Sequence, residues 1–295
     1  MRSALSTLEV TRPRVLDRAL EALHNSLSSE RMTPLAGGTD LFVYLNAGSH
    51  RGTRFLDLSA VRELRGIRVA RDRVTIGAAV TFREIGEHAV LRRRLPSLTA
   101  AAAVVGAWQI QSRATLAGNI ANASPAGDSL PVLLAHEAIV HARSVRGRRA
   151  VAFENLYRGY REMILDPDEL ITAVEISFPP SGSFSFFRKV GTRRAQSISK
   201  VVFSGVLARD RRRVVSGARL AWGSVAPVTV RSQRAESLLL GEKPSAALAA
   251  RARAALLEDI APIDDVRSER EYRSSVAGNV LEQFLRAADP RFARD

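Results

Sequence analysis

The chain has 295 residues, 46% of them hydrophobic, with a mean hydropathy of −0.05, enough for two or three modest units that each bury a core. No run reaches the length of a membrane span, residues 1–20 lack the apolar centre of a secretory signal, and a cytoplasmic location is the expectation. There is no Cys, which excludes disulfides, thiolate zinc sites and a cysteine-ligated iron–sulfur cluster within this chain, and the net charge is +14.

Residues 15–28 carry apolar side chains at helical spacing and predict an amphipathic helix. A strand is expected at 32–36. Gly37 and Gly38 then open a second helix reaching Leu45, with Thr39 or Asp40 as its cap. Residues 55–58 and 74–79 read as strands. Residues 96–107 read as a helix with Pro at its start. The segment 115–131, TLAGNIANASPAGDSLP, has the composition of a surface loop, because Asn, Asp and Ser bond their own backbone and Pro removes donors. Two strands are expected at 133–144 and 148–153 around a turn at Gly147, then a polar turn at 166–169 and a strand at 169–178. Pro179, Pro180, Ser181 and Gly182 form the best linker in the chain. Beyond it come three strand-like runs (183–190, 198–210 and 214–225), followed by helical patterns at 228–241, 244–260 and 268–289. Strands followed by helices predict an α+β unit with helices on one face of an antiparallel sheet.

Several motifs fail. His136, Glu137 and His141 resemble a zinc signature, but the second His lies one residue too far, about 140° around a helix and on the opposite face of a strand. There is no G-x-G-x-x-G, no phosphate-binding P-loop and no G-x-S-x-G elbow. The charge also has a plain reading. All but Lys189, Lys200 and Lys243 of the 44 basic residues are Arg, in short, dispersed runs poor in aromatics. A nucleic-acid groove interleaves stacking residues with its charges, so an acidic protein partner is the better expectation.

Two glycine-bearing segments remain, 34–42 (PLAGGTDLF) and 115–131. Glycine lets backbone approach a ligand closely, and consecutive amides form a concavity suited to anions. Two such turns, at 36–40 and 115–119, can hold both phosphates of a pyrophosphate without Lys or Arg. Thr39, Thr115 and Asn119 add donors, and Asp128 is suited to accept from sugar hydroxyls.

AGGTDL (36–41), TLAGNIANASPAGDSLPVLLA (115–135) and KVGTRRAQSISKV (189–201), in this order and spacing, resemble the FAD-binding medium subunit of the molybdenum hydroxylases, the xanthine dehydrogenase and carbon monoxide dehydrogenase type. The resemblance covers nearly the whole chain. It implies an α+β protein. Residues 1–178 would form an FAD-binding region of the vanillyl-alcohol-oxidase (PCMH) type, with two α/β subdomains at about 1–58 and 59–178. A C-terminal α+β domain at 183–290, with a three-stranded antiparallel sheet and helices, would follow. It further implies that Leu35, Ala36, Gly37, Gly38, Thr39 and Asp40, with Thr115, Leu116, Ala117, Gly118 and Asn119, line the pyrophosphate. Asp128 would bind a hydroxyl of the sugar or ribityl chain and Ile171 would pack near the cofactor. Lys189 would stand close to FAD, before a loop at 190–197 that borders the flavin. No catalytic residue and no metal ligand is implied on this chain.

The FAD would be non-covalent, since no Cys is available and no His lies in the three motifs. A molybdenum cofactor on a large partner subunit and [2Fe–2S] clusters on a small one would feed it electrons, and NAD or another acceptor would take them. Two departures from the family pattern stand out: Gln111-Ser112 in place of Arg-Asn, and Ala117 in place of the first of two glycines. The alternatives are a self-contained flavin oxidase of related fold, for which no catalytic base constellation is evident, and a basic nucleic-acid-binding protein.

Overall fold

The computed structural model describes residues 7–193, 196–289 and 291–292. Strand β1 (Glu9–Thr11) precedes α1 (Leu16–Asn25), whose Leu16, Ala19, Leu20 and Leu23 fall at i, i+3, i+4 and i+7 and are all buried. Burying each Leu contributes roughly 1.5–3 kcal/mol, which fixes the helix on the domain it covers. β2 (Thr33–Leu35), α2 (Leu41–Asn46) and β3 (Arg54–Asp57) follow, and β3 lies between β1 and β2 in a parallel three-stranded sheet. Asp40 occupies the N-cap position of α2, but no side chain caps the helix, so neither Thr39 nor Asp40 acts as expected.

β4 (Ile67–Val69) and β5 (Arg73–Gly77) begin a second sheet. A run of short helices then crosses the molecule: α3 (Phe82–Glu87), α4 (Ala89–Arg94), α5 (Pro96–Ala102), α6 (Trp108–Gln111), α7 (Leu116–Ala121) and α8 (Leu130–Ala135). α3 starts at a capping box in which Thr81 Oγ1 accepts from the Glu84 amide while the Glu84 carboxylate accepts from the Thr81 amide. β6 (Ile139–Ser144), β7 (Gly147–Ala152), the small hairpin β8 (Tyr157–Gly159) and β9 (Glu162–Met163), and β10 (Leu170–Ser177) complete this part. The sheet order is β4-β5-β10-β6-β7, antiparallel throughout.

After residues 179–182, β11 (Phe184–Val190), β12 (Val201–Arg209), β13 (Val215–Gly223) and β14 (Val230–Arg231) form an antiparallel sheet in sequence order. α9 (Gln233–Leu239) and α11 (Arg270–Ala288) pack on it, and α10 (Ala246–Asp259) packs against both of those helices. Phe203, Trp222 and Phe284 form the aromatic centre of this core, with the Phe203 and Trp222 ring centroids 4.3 Å apart. Among the described residues no helix is long and apolar enough to cross a membrane.

The structure corrects several expectations. Residues 115–131 are not a surface loop: six of them form α7, and most of the segment is buried or half-buried. The strand expected from 133 begins only at Ile139, because residues 130–135 form α8 with Pro131 in its first turn. All six α8 residues are buried, so its sequence shows no period from which helix and strand could be told apart. The cause is its position: α8 packs against β12 and β13 as well as its own neighbours. The helix expected at 228–241 starts only at Gln233, and β14 makes the last sheet four-stranded rather than three-stranded. α5 stops at Ala102 rather than running to Ala107.

Candidate functional site

The 36–40 segment links β2 to α2, and residues 114–119 lead into α7. They touch at Gly37, where a Cβ would stand 2.2 Å from the Arg113 carbonyl oxygen. Only glycine fits this crossing of two backbones. Gly38 follows with φ of +74°, and its carbonyl accepts from the Phe42 amide as the chain turns into α2. In the second segment Thr115 Oγ1 accepts from the Gly118 amide, the N-cap bond of α7. Ala117 sits in the first turn of α7 with ordinary helical backbone, so its methyl needs no positive φ. Asn119 Oδ1 accepts from Ser129 Oγ at 2.7 Å, which leaves its amide nitrogen as the donor it can present.

A cavity of about 1320 Å³ runs between these segments and on to the C-terminal part of the chain. Leu35, Ala36, Gly37, Gly38, Thr39 and Asp40 line it, as do Thr115, Ala117, Gly118, Asn119, Asp128, Ile171 and Lys189. Leu116 does not; it is fully buried in the core beneath α7. Leu58, Leu64, Val105 and Ile110 supply apolar wall between the polar groups. Ile171 is placed by a bulge in the pairing of β10 with β6. Of the 190–197 loop, Gln196 and Ser197 line the cavity, while residues 194 and 195 lie outside the described residues.

Asp128 and Lys189, 61 residues apart, form one ion pair. Lys189 Nζ donates to Asp128 Oδ2 at 2.6 Å and to the Val104 carbonyl at 3.1 Å, and Ser199 Oγ donates to Asp128 Oδ1 at 2.6 Å. Both side chains are buried, and the pair ties β11 to the turn before α8. Burial pushes the Asp128 carboxyl up, against the pull of Lys189 and the Ser199 hydroxyl. Elsewhere on the cavity lining, partial desolvation pushes the Asp40 carboxyl up and the nearby Arg161 charge opposes it. Arg161 Nη1 donates to Tyr44 Oη at 2.8 Å, and Tyr44 donates to Asn122 Oδ1 at 2.8 Å, joining the β8–β9 hairpin to α2 and α7.

The other sequence candidates lie elsewhere. His136 is buried against Ser97 Oγ at 3.0 Å, and burial, with the Arg219 charge beside it, lowers it to about pKa 4. His141 faces Glu175 on β6. Sequence reading missed Ser199, although it lies inside the third motif, and missed Tyr44, Arg161, Ser224 and Arg273, which also line the cavity. A polar residue two positions before a β-branched strand marks Ser199 in retrospect; nothing local marks Arg161 or Arg273.

The arrangement offers one cavity whose lining includes two backbone turns and a buried carboxylate–ammonium pair. Residues 6–179 match the family described as FAD binding domain in molybdopterin dehydrogenase. Residues 186–288 match the CO dehydrogenase flavoprotein C-terminal domain. The chain is 33% identical over 260 residues to the xanthine dehydrogenase FAD-binding subunit of Escherichia coli O157:H7, covering 86% of this chain and 87% of the relative. It is 28% identical to the carbon monoxide dehydrogenase medium chain of Hydrogenophaga pseudoflava, covering 88% and 90%. A solved carbon monoxide dehydrogenase from Hydrogenophaga pseudoflava contains a chain that superposes with a TM-score of 0.91 at 26% identity, covering 97% of this chain and 98% of that one. The chain therefore belongs to the FAD-binding subunits of the molybdenum hydroxylases of the xanthine and carbon monoxide dehydrogenase type.

Proposed function

We propose that this chain holds FAD non-covalently and serves as the electron-transfer subunit of a molybdenum hydroxylase. It takes electrons from [2Fe–2S] clusters on a small partner subunit and delivers them to an acceptor such as NAD. The observation that carries the reading is the cavity itself, whose lining offers backbone turns and a buried ion pair in one continuous volume. The residues fit the group. Gly37 and Gly38 carry bare backbone along the cavity surface, Gly37 because only a glycine can pass the Arg113 carbonyl there, and Thr39 and Asn119 add donors beside it. Asp128 can accept a hydroxyl of the ribityl chain or sugar through the lone pairs that Lys189 and Ser199 leave, while Leu35 and Ile171 exclude water from its apolar face. FAD supplies the redox chemistry, and the protein supplies binding, orientation and electrostatics. With no Cys in the chain, a cysteine-ligated cluster has to stand on another subunit. On this reading residues 1–178 form the FAD-binding region, with subdomains at about 1–58 and 59–178, and residues 183–290 form the C-terminal unit.

The test is spectroscopic and then functional. Purified with FAD, the chain should show oxidised flavin bands near roughly 370 and 450 nm, and NADH should bleach them if NAD is the acceptor. Combined with the small and large subunits it should complete electron flow from a hydroxylated substrate to the acceptor. Flavin reduction by an organic substrate in the lone chain would replace this reading with that of a self-contained oxidase.

A further inference from the structure

Arg273, in the first turn of α11, is a buried arginine at 4% exposure, and it spans three chain segments. Its Nη1 donates to the carbonyls of Lys200 and Ser224, both at 2.9 Å, and its Nη2 donates to Asp265 Oδ1 at 2.8 Å. Each target belongs to the cleft or to its supports. Lys200 follows Ser199, the hydroxyl donor to Asp128, and its amide donates to the Val190 carbonyl next to Lys189. Ser224 lines the cavity with φ of +65°, a backbone conformation that costs a non-glycine residue free energy and persists only where neighbours hold it. Its amide donates to the Pro125 carbonyl at 2.8 Å, three residues before Asp128. Gly223 beside it has no room for a Cβ, which would meet Val202 at 2.7 Å and the Pro125 oxygen at 3.0 Å. Asp265 also accepts from the amides of Arg267 and Ser268, closing a turn on the C-terminal wall of the cavity.

Burying a guanidinium is costly unless its donors find acceptors; here the two terminal nitrogens of one planar fork satisfy two carbonyls and a carboxylate, while the buried Nε has no partner among the described residues. We propose that Arg273 is a positioning residue for the cofactor site. Through Lys200 and Ser224 it fixes Ser199 and the Pro125–Asp128 turn, and through Asp265 it holds the opposing wall, so that α11 sets the geometry of the Asp128–Lys189 pair. This rests on the FAD reading above and names the residue on the cavity wall that holds the site's geometry through its neighbours.

The test compares wild type, Arg273→Lys, Arg273→Met and Leu285→Ala, the last a core truncation on the same helix that leaves the clamp intact. FAD affinity, visible circular dichroism of the bound flavin and its midpoint potential are measured alongside urea stability. Arg273→Lys, which keeps the charge and loses the fork, should weaken FAD about tenfold or more and alter the dichroism and potential. Leu285→Ala should lose stability yet bind FAD like wild type once folded. If Arg273→Met fails to fold, Arg273→Lys alone decides the matter. Wild-type affinity, dichroism and potential in Arg273→Lys would reduce Arg273 to scaffold and overturn the proposal. Failure of wild type to bind FAD would overturn the cofactor reading, and this proposal with it.

Discussion

Removing one partner of the Asp128–Lys189 pair tests the energetics of the cleft directly. Both side chains are less than a tenth exposed and their contact is 2.6 Å, so solvent screens neither charge. Breaking a buried pair from one side costs about 3–5 kcal/mol, because the remaining ion keeps its desolvation and loses its counter-charge. Asp128→Ala should reach that range, since it strands Lys189 with only the Val104 carbonyl and leaves Ser199 Oγ without its acceptor. Lys189→Met should cost less, about 2–3 kcal/mol. Burial already pushes the Asp128 carboxyl up, so without Lys189 it can protonate and keep the Ser199 bond as a neutral group. The sign of the pH response follows. A raised carboxyl contributes stability below its unfolded value and loses it as pH rises, so Lys189→Met should weaken from acid towards neutral pH relative to wild type. The double variant Asp128→Ala/Lys189→Met should lie well below the sum of the single costs, with a coupling of about 2 kcal/mol. Urea unfolding of the apoprotein, followed by fluorescence of buried Trp222, reads all four proteins. Single costs under about 1 kcal/mol that simply add would refute a buried, coupled pair.

Gly37→Ala should cost about 1–3 kcal/mol and weaken FAD binding, because the new methyl meets the Arg113 carbonyl at 2.2 Å; unchanged stability in urea would contradict the crossing of the two segments. His136 is depressed to about 4 from the usual 6.5, so it supports the fold above pH 6.5 and withdraws about 3 kcal/mol as pH falls through 4. His136→Gln should flatten that part of the stability–pH curve, and an unaltered slope would exclude it. Acid precipitation of the holoprotein should release all its flavin as intact FAD, and colour kept by the denatured chain would show a covalent link. The isolated subunit should not respond to purines, aldehydes or carbon monoxide, which a flavin absorbance trace checks.

What could be read from the residues was local or linear. The apolar spacing of α1, the unbroken apolar run of β12 and the length of the α11 pattern are each extended enough to be legible. The two glycine-bearing segments stand out by composition, and all their assigned residues except Leu116 line the cavity. The meaning of Gly37 was half visible: the space its missing side chain leaves is taken by the Arg113 backbone rather than kept for a ligand. Asp128 and Lys189 were each singled out from the motifs and both line the cavity, but their pairing depends on β11 meeting the turn before α8, which no local pattern encodes. α8 and β14 were misread for the same reason, since tertiary neighbours on every side of α8 erase its polar face, and β14 is only two residues long.

The burial of α8 on all sides also governs how a long ligand can enter. With one face on the first part of the chain and another on β12 and β13, α8 acts as a shared axle, and Glu137 just after it is held by Arg219 and Arg231 of the last sheet. Swinging the two parts open about residues 179–182 would tear that axle from one bearing or the other. The cheap movements lie at the rim instead. α2 and α6 border the cavity and contain no fully buried residue, so displacing them exposes less apolar surface than parting α8 from either of its faces. Entry and release of a long ligand should therefore depend on displacement of these two short helices rather than on separation of the two sides of α8.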